Sequence, residues 1–452
     1  MIKIRHLLTT LIFAFSGVVL HAADKPNVIV LMEDDLGWTD VAVNGSDFYQ
    51  TPNVDRLAEN GMRFTNSYAA CAVCSPTRAS YLTGRYPNET GVTNYIGNSN
   101  MFMRHEEITV AEALKDNGYQ TIHIGKWHLA PRSKNEKKCT PFYPEHHGFD
   151  VNIGGSHWGA PGSYYYPFTG KKGRGEGGKF VDVEGAKEGD YLTDVLTERA
   201  LDQIEANKDK PFFLSLNYYT VHIPIIPRKD LVSRFKKSKN NVQQNANYAA
   251  MVYSLDMSVG KILTKLDDLN LTKKTMIIFT SDNGPFTRYS KVIGLKGGKG
   301  TSAEGGIRVP TIVSFPGVVP PGKLSDYPIH TVDYYSTILA VTGTNGDATH
   351  NKKVDGVNLM PVLDGSQKAL ERDTLFWYFP HKRSGATPYS IVRKGDYKLI
   401  ELHDTGAIEL YDLKTDLGET TDLSKSMPEK AAELKAVLHK WYKENNVKVK
   451  RK

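Results

Sequence analysis

Four short apolar segments, each followed by polar residues, constrain the fold of this chain more than any other feature of its sequence. They are NVIVLM (27–32) and the apolar parts of QTIHIGKWH (120–128), PFFLSLNYYTVHIP (211–224) and TMIIFTSDNG (275–284). Each is rich in β-branched or aromatic residues and has the length of a buried strand. Helical patterns separate them, as in TPNVDRLAENG, where Thr51 is expected as the N-cap, Pro52 in the first turn and Gly61 at the end. This alternation predicts an α/β fold with a large, mostly parallel sheet covered by helices on both faces.

The residues that follow these strands are of the types that bind ions and transfer protons. They are Asp34, Asp35, Lys126, His128, His222, Asp282 and Asn283. Ligands bind beyond the carboxyl ends of parallel strands, so we expect these side chains to meet at one edge of the sheet. Taken alone, adjacent acids are often helix caps, and Ser-Asp-Asn-Gly is typical of a turn. Together, three carboxylates and an amide form an all-oxygen site suited to calcium or magnesium.

The segment CAVCSPTRASYLTGR, residues 71–85, places a cysteine where a helix is predicted to begin. Ser75 is expected as the N-cap, Pro76 fits the first turn, and Gly84 is a suitable C-terminal stop. Cys74 would then lie at the positive end of the helix dipole, which favours a bound anion or a thiolate. A plain cysteine nucleophile is therefore one interpretation of this segment, although such an enzyme has little use for a hard divalent metal.

The beginning of the chain has the pattern of an export signal. Lys3 and Arg5 precede an apolar stretch at 7–20, and His-Ala-Ala follows, so residues 1–23 are predicted to be a signal peptide. The protein is therefore expected in the periplasm or outside the cell, without a membrane span. Its three cysteines are an odd number for an oxidising compartment. A Cys71–Cys139 disulfide is compatible with that number and would leave Cys74 free.

Composition limits the classes of partner. The chain has 452 residues, of which 40% are hydrophobic and 24% charged, enough for one large domain and a smaller one. The formal net charge of +7 suits an anionic substrate, although part of it lies in the C-terminal tail. Nucleic acid is not expected, because the chain is predicted to be exported and has no motif that mixes basic and aromatic residues.

Cys74-Ser75-Pro76-Thr77-Arg78, followed by LTGR, resembles the signature of the type I, formylglycine-dependent sulfatases of the alkaline phosphatase superfamily. The resemblance extends over nearly the whole chain after residue 23, through DDLG, TPNVDRLA, GKWHL, SDNG and GKGTSAEGGIRVP. It implies an alkaline phosphatase-like fold. It also implies that a separate enzyme, either formylglycine-generating or anaerobic, oxidises Cys74 to formylglycine. The hydrated aldehyde would then attack sulfur and hydrolyse a sulfate ester through a covalent sulfo-enzyme.

The resemblance also implies a role for each matching residue. The metal, calcium or else magnesium, would be held by Asp34, Asp35, Asp282, Asn283 and residue 74. Arg78 would brace the hydrate, while Lys126 and Lys299 would bind sulfate oxygens. His128 would be the base that releases sulfate, and His222, alone or with Lys299, would protonate the leaving alcohol. Lys296 is interpreted as a solvated lysine, and Cys71 has no implied role.

Two other functions stay open at this point. Phosphonate monoester hydrolases of the same superfamily share the cysteine motif, whereas typical phosphatases use Ser or Thr and two zinc ions bound by additional histidines. This chain has one hard-metal set and no such histidine cluster. A noncatalytic binder of sulfated glycans is a third interpretation, but a binder needs no precursor cysteine.

Two regions are candidates for substrate recognition. The Gly- and Tyr-rich segment 131–190 contains His157, Trp158 and the tyrosines at 164–166, which could stack on a sugar ring. The stretch FWYFPHKR, 376–383, could bring His381, Lys382 or Arg383 to the cleft. The run LTGRYPNETGVTNYI resembles bacterial sulfatases acting on galactose-type sugars, so a sulfated galactan or N-acetylgalactosamine sulfate is the preferred substrate.

The sequence of the C-terminal part predicts a separate small domain. A catalytic domain is predicted over 24–365 and an α+β domain over 366–452. A hairpin is expected from 389–393 and 397–402, with a further strand at 408–412. A helix over 428–442 would place Leu434, Leu438 and Trp441 on one face. This pattern predicts a small antiparallel sheet covered by a helix.

Overall fold

The computed structural model describes residues 25–97, 101–133, 135–169, 183–235, 242–383 and 387–449. The predicted signal peptide lies outside the described residues. So do residues 170–182 of the predicted recognition segment and the last three residues of the basic tail.

The described residues form strands β1 to β14 and helices α1 to α12. The strands are β1 Asn27–Glu33, β2 Met62–Phe64, β3 Ser67–Tyr68, β4 Gln120–Gly125, β5 Val151–Ile153, β6 Phe212–Asn217, β7 Thr275–Ser281, β8 Thr311–Ser314, β9 Lys323–Ser325, β10 Ile329–His330, β11 Thr374–Phe379, β12 Tyr389–Lys394, β13 Tyr397–Leu402 and β14 Ile408–Asp412. The helices are α1 Pro52–Glu59, α2 Cys74–Thr83, α3 Pro87–Thr90, α4 Val110–Asp116, α5 Leu192–Ala206, α6 Lys229–Val232, α7 Ala246–Asp268, α8 Glu304–Ile307, α9 Asp333–Thr342, α10 Ala348–Asn351, α11 Met360–Leu363 and α12 Pro428–Glu444.

The large sheet has eight strands in the order β5-β4-β6-β1-β7-β8-β2-β9. Strands β5, β4, β6, β1 and β7 run parallel to one another, and β8 is antiparallel to both of its neighbours. The four segments predicted as buried strands are the four adjacent central strands β4, β6, β1 and β7. In β1, Val28 lies between Phe213 of β6 and Met276 of β7. The predicted mostly parallel sheet is confirmed.

Both faces of the sheet are buried under helices. Alternate residues of β1 belong to two different cores: Ile29 and Leu31 pack in the core that includes α1, α5 and α7. Val28, Val30 and Met32 pack in the core that includes α2, α4 and α9. This period of two explains why β1 is apolar along its whole length rather than alternating with polar residues.

Of the two predicted N-caps, Ser75 is wrong and Thr51 is confirmed in position. α2 begins at Cys74 itself, and its N-cap is Val73 rather than Ser75. The Ser75 hydroxyl instead donates to the carbonyl oxygen of His128 at 2.9 Å. Thr51 is the N-cap residue of α1 but makes no side-chain capping bond, because its hydroxyl accepts from the Ala42 N–H. Gly84 ends α2 in the left-handed conformation, φ +71°, as predicted.

The small C-terminal sheet is antiparallel, in the order β11-β12-β13-β14. Helix α12 covers one face, where Leu434, Leu438 and Trp441 are buried as predicted. Residues of the other face, including Trp377 and Ile391, pack with the segment that leads to Cys74. The Trp377 indole N–H donates to the Ala69 carbonyl oxygen at 2.8 Å. The small sheet therefore supports the loop that carries the signature cysteine. The domain boundary at 365/366 remains a prediction.

Candidate active site

The polar residues predicted to meet at one edge of the sheet do lie together. Asp34 and Asp35 follow β1, Lys126 and His128 follow β4, and Asp282 and Asn283 follow β7. His222 lies in the loop after β6, the strand between β4 and β1. Cys74 and Arg78 come from the first turns of α2. Lys299 lies in the Gly-rich loop before α8.

Asp35 and His128 adopt left-handed backbone conformations, with φ of 63° and 56°. Residues other than glycine rarely do so, and such positions cluster at functional sites. Here hydrogen bonds hold both: the Tyr248 hydroxyl donates to the Asp35 carbonyl oxygen at 3.1 Å, and the His128 N–H donates to the Ser156 carbonyl oxygen at 3.1 Å.

Arg78 is buried and fixes one carboxylate of the site. Its Nε and Nη2 both donate to Asp282 Oδ2, at 2.9 and 2.7 Å. Its Nη1 donates to the Lys126 carbonyl oxygen at 3.0 Å and to Asn217 Oδ1 at 3.1 Å. Asn217, the last residue of β6, belongs to this cluster although it was not among the predicted site residues. The sequence feature that could have identified Asn217 is its place as a polar residue at the end of an apolar strand.

Two lysines pair with the aspartates that follow β1. Lys126 Nζ lies 2.7 Å from Asp34 Oδ2, and Lys299 Nζ lies 2.5 Å from Asp35 Oδ1. Burial raises the pKa of Asp34 well above its usual value, although the charge of Lys126 opposes this. Burial alone would raise the pKa of Asp35, but the nearby positive charges, that of Lys299 first among them, and the hydrogen bond from Lys299 together lower it. Lys296, three residues earlier, is exposed, as predicted.

Several oxygens of this cluster are buried without a hydrogen-bond partner. They are Asp34 Oδ1, Asn283 Oδ1 and both carboxyl oxygens of Glu33. A buried polar atom without a partner costs about 1–3 kcal/mol, so it calls for an explanation. Ligand atoms of Asp34, Asp35 and His222 lie within 4.8 Å of one another, a spacing at which they could hold a metal ion. The unpaired oxygens therefore fit the predicted divalent cation.

The side chain of Cys74 faces His128. Their Sγ and Nδ1 atoms are 3.3 Å apart, and His128 Nε2 lies 2.8 Å from the Ile96 carbonyl oxygen. Since a carbonyl can only accept, Nε2 carries the proton and Nδ1 is free to accept one from residue 74. Burial, followed by the charge of Lys126, lowers the pKa of His128 well below its usual value. The imidazole is therefore neutral at ordinary pH and suited to act as a base.

His222 is oriented by its own loop. Its Nδ1 donates to the Ile223 carbonyl oxygen at 2.8 Å, which leaves Nε2 directed toward Asp35 Oδ2 at 3.8 Å. Tyr164 holds this loop, because its hydroxyl donates to the carbonyl oxygens of Tyr219 and His222. Burial and the charge of Lys299 lower the pKa of His222 well below its usual value.

An open cleft of about 770 Å³ leads to these groups. Its lining includes Cys74, His128, His157, Trp158, His222, Lys299 and Arg383. His157 is held by the Tyr143 hydroxyl, 2.7 Å from its Nδ1, and its ring lies 4.5 Å from that of Trp158. The structure thus places His157 and Trp158, two of the predicted recognition residues, beside the catalytic candidates.

Other predicted recognition residues lie elsewhere. His381 does not line the cleft, because its Nε2 is engaged with the Thr93 hydroxyl at 2.9 Å. Lys382 pairs with Asp404 at 3.0 Å on the surface. Tyr164 is fully buried as the support of the His222 loop and cannot stack on a sugar, and Tyr165 and Tyr166 are not among the residues that line the cleft.

The three cysteines are all buried and free, so the Cys71–Cys139 disulfide is absent. Cys139 Sγ instead lies 3.7 Å from the carbonyl oxygens of Ser133 and Asn135. Cys71 packs beneath the small sheet, where burial raises its pKa to about 12. Within the described residues, no helix is both long and apolar enough to cross a membrane.

Comparison with known proteins decides the family. A family model described as Sulfatase matches residues 26–344, and one described as N-sulphoglucosamine sulphohydrolase, C-terminal, matches residues 299–448. The chain belongs to the sulfatase family. It is a sulfuric ester hydrolase, and its alkaline phosphatase-like fold is confirmed.

Relatives and solved structures agree with this assignment. A sulfatase of Formosa agariphila is 31% identical over 97% of this chain and 93% of its own length. The N-acetylgalactosamine-6-sulfatase of Sus scrofa is 32% identical over 84% of this chain and 74% of its own. The crystal structure of Ps i-CgsB has a TM-score of 0.80 at 30% identity, covering 92% of each chain. That protein has also been solved in complex with k-i-k-neocarrahexaose.

Proposed function

We propose that this sulfatase hydrolyses sulfate esters of a sulfated oligosaccharide or polysaccharide, with a galactan or N-acetylgalactosamine sulfate as the preferred class. The observation that carries the proposal is the convergence of Cys74, His128 and the unpaired oxygens of Asp34 and Asn283 at one end of an open cleft. The similarity to N-acetylgalactosamine-6-sulfatases and to Ps i-CgsB, with its k-i-k-neocarrahexaose complex, supports this choice of sugar.

Cys74 is the proposed precursor of formylglycine, made by a separate formylglycine-generating or anaerobic maturation enzyme. The hydrated aldehyde supplies two hydroxyls on one carbon, one to attack sulfur and one to expel sulfate. A serine or thiol could make the first attack but would then depend on water attacking an anionic adduct. The position supports this role, because residue 74 borders the cleft and contacts a single proton acceptor, His128 Nδ1.

Asp34, Asp35, Asp282 and Asn283 would hold the ion, for which calcium is proposed and magnesium is the alternative. Their donors are all oxygens, which hard cations prefer. When bound, such an ion supplies positive charge that offsets the charge of a sulfate and favours an ionised hydroxyl. It would also satisfy the oxygens of Asp34 and Asn283 that lack partners.

The remaining residues bind the sulfate and move protons. Lys126 and Lys299 are proposed to bind sulfate oxygens, as fixed positive charges that need no reorganisation during the reaction. Arg78 is proposed to orient residue 74 through the contacts that also fix Asp282. His128 accepts a proton from residue 74 at Nδ1, and its tautomer supports this direction of transfer. The bound anion raises the pKa of His222, which then gives its Nε2 proton to the leaving oxygen.

The reaction class can be tested with three chromogenic esters. Matured protein should hydrolyse an aryl sulfate faster than the matching aryl phosphate or phosphonate. Faster phosphonate cleavage would instead identify a phosphonate monoester hydrolase, and the absence of turnover by fully matured protein would favour a binding protein.

The substrate can be tested with a panel of sulfated sugars. N-acetylgalactosamine 4- and 6-sulfates, galactose sulfates and neocarra-oligosaccharides should release sulfate, whereas glucosamine sulfates should not. Release from the glucosamine series alone would contradict the galactose-type preference. Mass analysis of the peptide containing residue 74 should show loss of sulfur there, with Cys71 unchanged as the control within the same peptide.

We also infer that residues 1–23 direct export to the periplasm or the medium. N-terminal sequencing of protein recovered from its native host should begin at about residue 24. Protein that retains Met1 and remains with the cytoplasm would contradict this.

A further inference from the structure

Arg383 is a cleft residue that the proposed reaction does not use. It comes from the segment after β11, so the C-terminal part of the chain contributes it to a cleft otherwise built by the large-sheet part. The proposed chemistry assigns the sulfate under attack to Lys126 and Lys299. Two further cations line the cleft, Arg132, which lies over the ring of Trp158, and Arg383, whose role therefore needs a separate explanation.

The guanidinium of Arg383 is held in place from two sides. It lies over the ring of Tyr95, 4.3 Å from its centroid, an arrangement that favours a fixed cation. Its stem packs against Gly300, where a β-carbon would lie 3.2 Å from Arg383 Cδ. Gly300 directly follows Lys299, so the arginine is anchored beside the lysine proposed to bind sulfate.

Arg383 has donor capacity left over. Among the described residues, its buried Nη1 has no hydrogen-bond acceptor and no carboxylate pairs with the guanidinium. The adjacent Lys382, by contrast, pairs with Asp404 at 3.0 Å and does not line the cleft. A buried guanidinium donor without an acceptor gains most from an anionic acceptor, because hydrogen bonds to charged groups are the strong ones.

We propose that Arg383 is a specificity residue that binds a second acidic group of the substrate, either a second sulfate or a carboxylate, next to the sulfate that is removed. The inference rests on the proposed function, because it assumes that the cleft binds a sulfated sugar. It narrows the substrate class from singly sulfated sugars to glycan segments carrying at least two acidic groups. A planar guanidinium suits both groups, since it can donate two parallel hydrogen bonds to either.

The test compares kcat/KM for three matched disaccharides: one singly sulfated, one with a second sulfate and one with a uronic acid carboxylate. Wild-type protein should prefer at least one of the two doubly acidic substrates by about 10-fold or more, mainly through KM. Arg383→Met should abolish the preference while leaving kcat/KM for the singly sulfated sugar within about 3-fold. Lys382→Met, the matched control, should retain it.

The three disaccharides distinguish between the possible explanations. A preference for the disulfated sugar alone, or for the uronic acid alone, supports the proposal and identifies the acidic group. Equal kcat/KM for all three substrates in wild-type protein would overturn the inference while leaving the sulfatase reaction intact. Failure to release sulfate from any of them would instead count against the proposed function.

The Arg383→Lys variant is a control for a folding defect in Arg383→Met. It keeps a charge and an aliphatic stem against Gly300 but lacks the guanidinium plane. It should retain the singly sulfated activity and lose most of the preference. A preference fully retained by both Arg383→Lys and a folded Arg383→Met would overturn the proposal.

Discussion

Two clusters of buried charge lie in this molecule, and they differ in one respect. The strand-end cluster contains Asp34, Asp35, Asp282, Arg78, Lys126 and Lys299. The second, here called the inter-sheet cluster, contains Glu304, Arg308, Lys398 and Glu419 and lies between the large and small sheets. All of these side chains are at most 5% exposed.

The buried carboxylates of the inter-sheet cluster accept hydrogen bonds from neighbouring side chains. Glu304 accepts from the Tyr68 hydroxyl, Arg308 Nε and Lys398 Nζ at 2.8, 2.8 and 3.0 Å. Lys398 also donates to Glu419 at 2.8 Å. Among the described residues, none of its side-chain oxygens is buried without a partner, whereas the strand-end cluster leaves oxygens of Asp34 and Asn283 unpaired. The difference indicates that one cluster holds the fold together and the other is completed by a ligand.

The largest effect is expected at Cys74. Cys74→Ala should reduce sulfatase activity on the order of 10⁴-fold or more, because alanine cannot supply the reacting group. Its unfolding transition should change little, since among the described residues the thiol lies within hydrogen-bonding distance of the His128 ring alone. Cys71→Ala is the matched control, three residues away and also buried, and should keep its activity. Equal loss in both variants would indicate a structural role for this loop.

The inter-sheet cluster should affect stability rather than chemistry. Lys398→Met leaves the buried carboxylate of Glu419 without its lysine, while Glu304 keeps its ion pair with Arg308. The loss should lower the free energy of unfolding by about 3–5 kcal/mol. Urea denaturation measures this. Activity per folded molecule should stay near the wild-type value at low temperature. A stability change below about 1 kcal/mol would show that the cluster is not structural.

Substitutions of the two lysines of the Gly-rich loop should have clearly different effects on activity. Lys299→Ala should lower kcat by about 10²–10³-fold, the cost of one preorganised donor in a buried site. Lys296→Ala should have no comparable effect, because Lys296 is exposed and lies 5.6 Å from the ring of Tyr411. Steady-state kinetics with an aryl sulfate measures both. A larger loss in Lys296→Ala would reverse the assignment of the sulfate-binding lysine.

The smallest effect concerns acid stability. Burial alone would raise the pKa of Glu304. The nearby positive charges, Lys398 and Arg308 first among them, together lower this pKa from 4.5 to about 2. A lowered carboxyl pKa stabilises the fold above pH 4.5, and this contribution disappears as the pH falls through about 2. Wild-type protein should therefore exceed Glu304→Gln in stability at pH 7, by a margin that shrinks below pH 4.5. A margin independent of pH would contradict the assignment.

Strands were predictable because their patterns are local. Segment 408–412 matches β14 residue for residue, β7 lies within the predicted stretch 275–284, and the covering helix α12 extends the predicted 428–442 by two residues. The gathering of the acidic and basic residues at one edge followed from the parallel sheet alone. Each of these predictions needs only composition, period and the direction of the strands.

The errors concern contacts between residues distant in sequence. Ser75 fits the pattern of an N-cap, but a bond to a carbonyl 53 residues away takes its hydroxyl. Tyr164 lies in a Gly-rich segment typical of a surface loop, yet it is buried beneath the His222 backbone. The choice among His381, Lys382 and Arg383 depended on side-chain direction at the end of β11, which no local pattern determines.

The most direct test of the central claim is calcium binding by two matched variants, measured by calorimetry on folded, metal-stripped protein. Asp34→Asn and Glu419→Gln each remove one buried carboxylate that pairs with a lysine, Lys126 and Lys398 respectively. Wild-type protein and Glu419→Gln should bind about one equivalent of calcium, and Asp34→Asn should bind it at least about 10-fold more weakly. Equal affinity in the two variants, or no divalent cation bound by wild-type protein, would contradict the account.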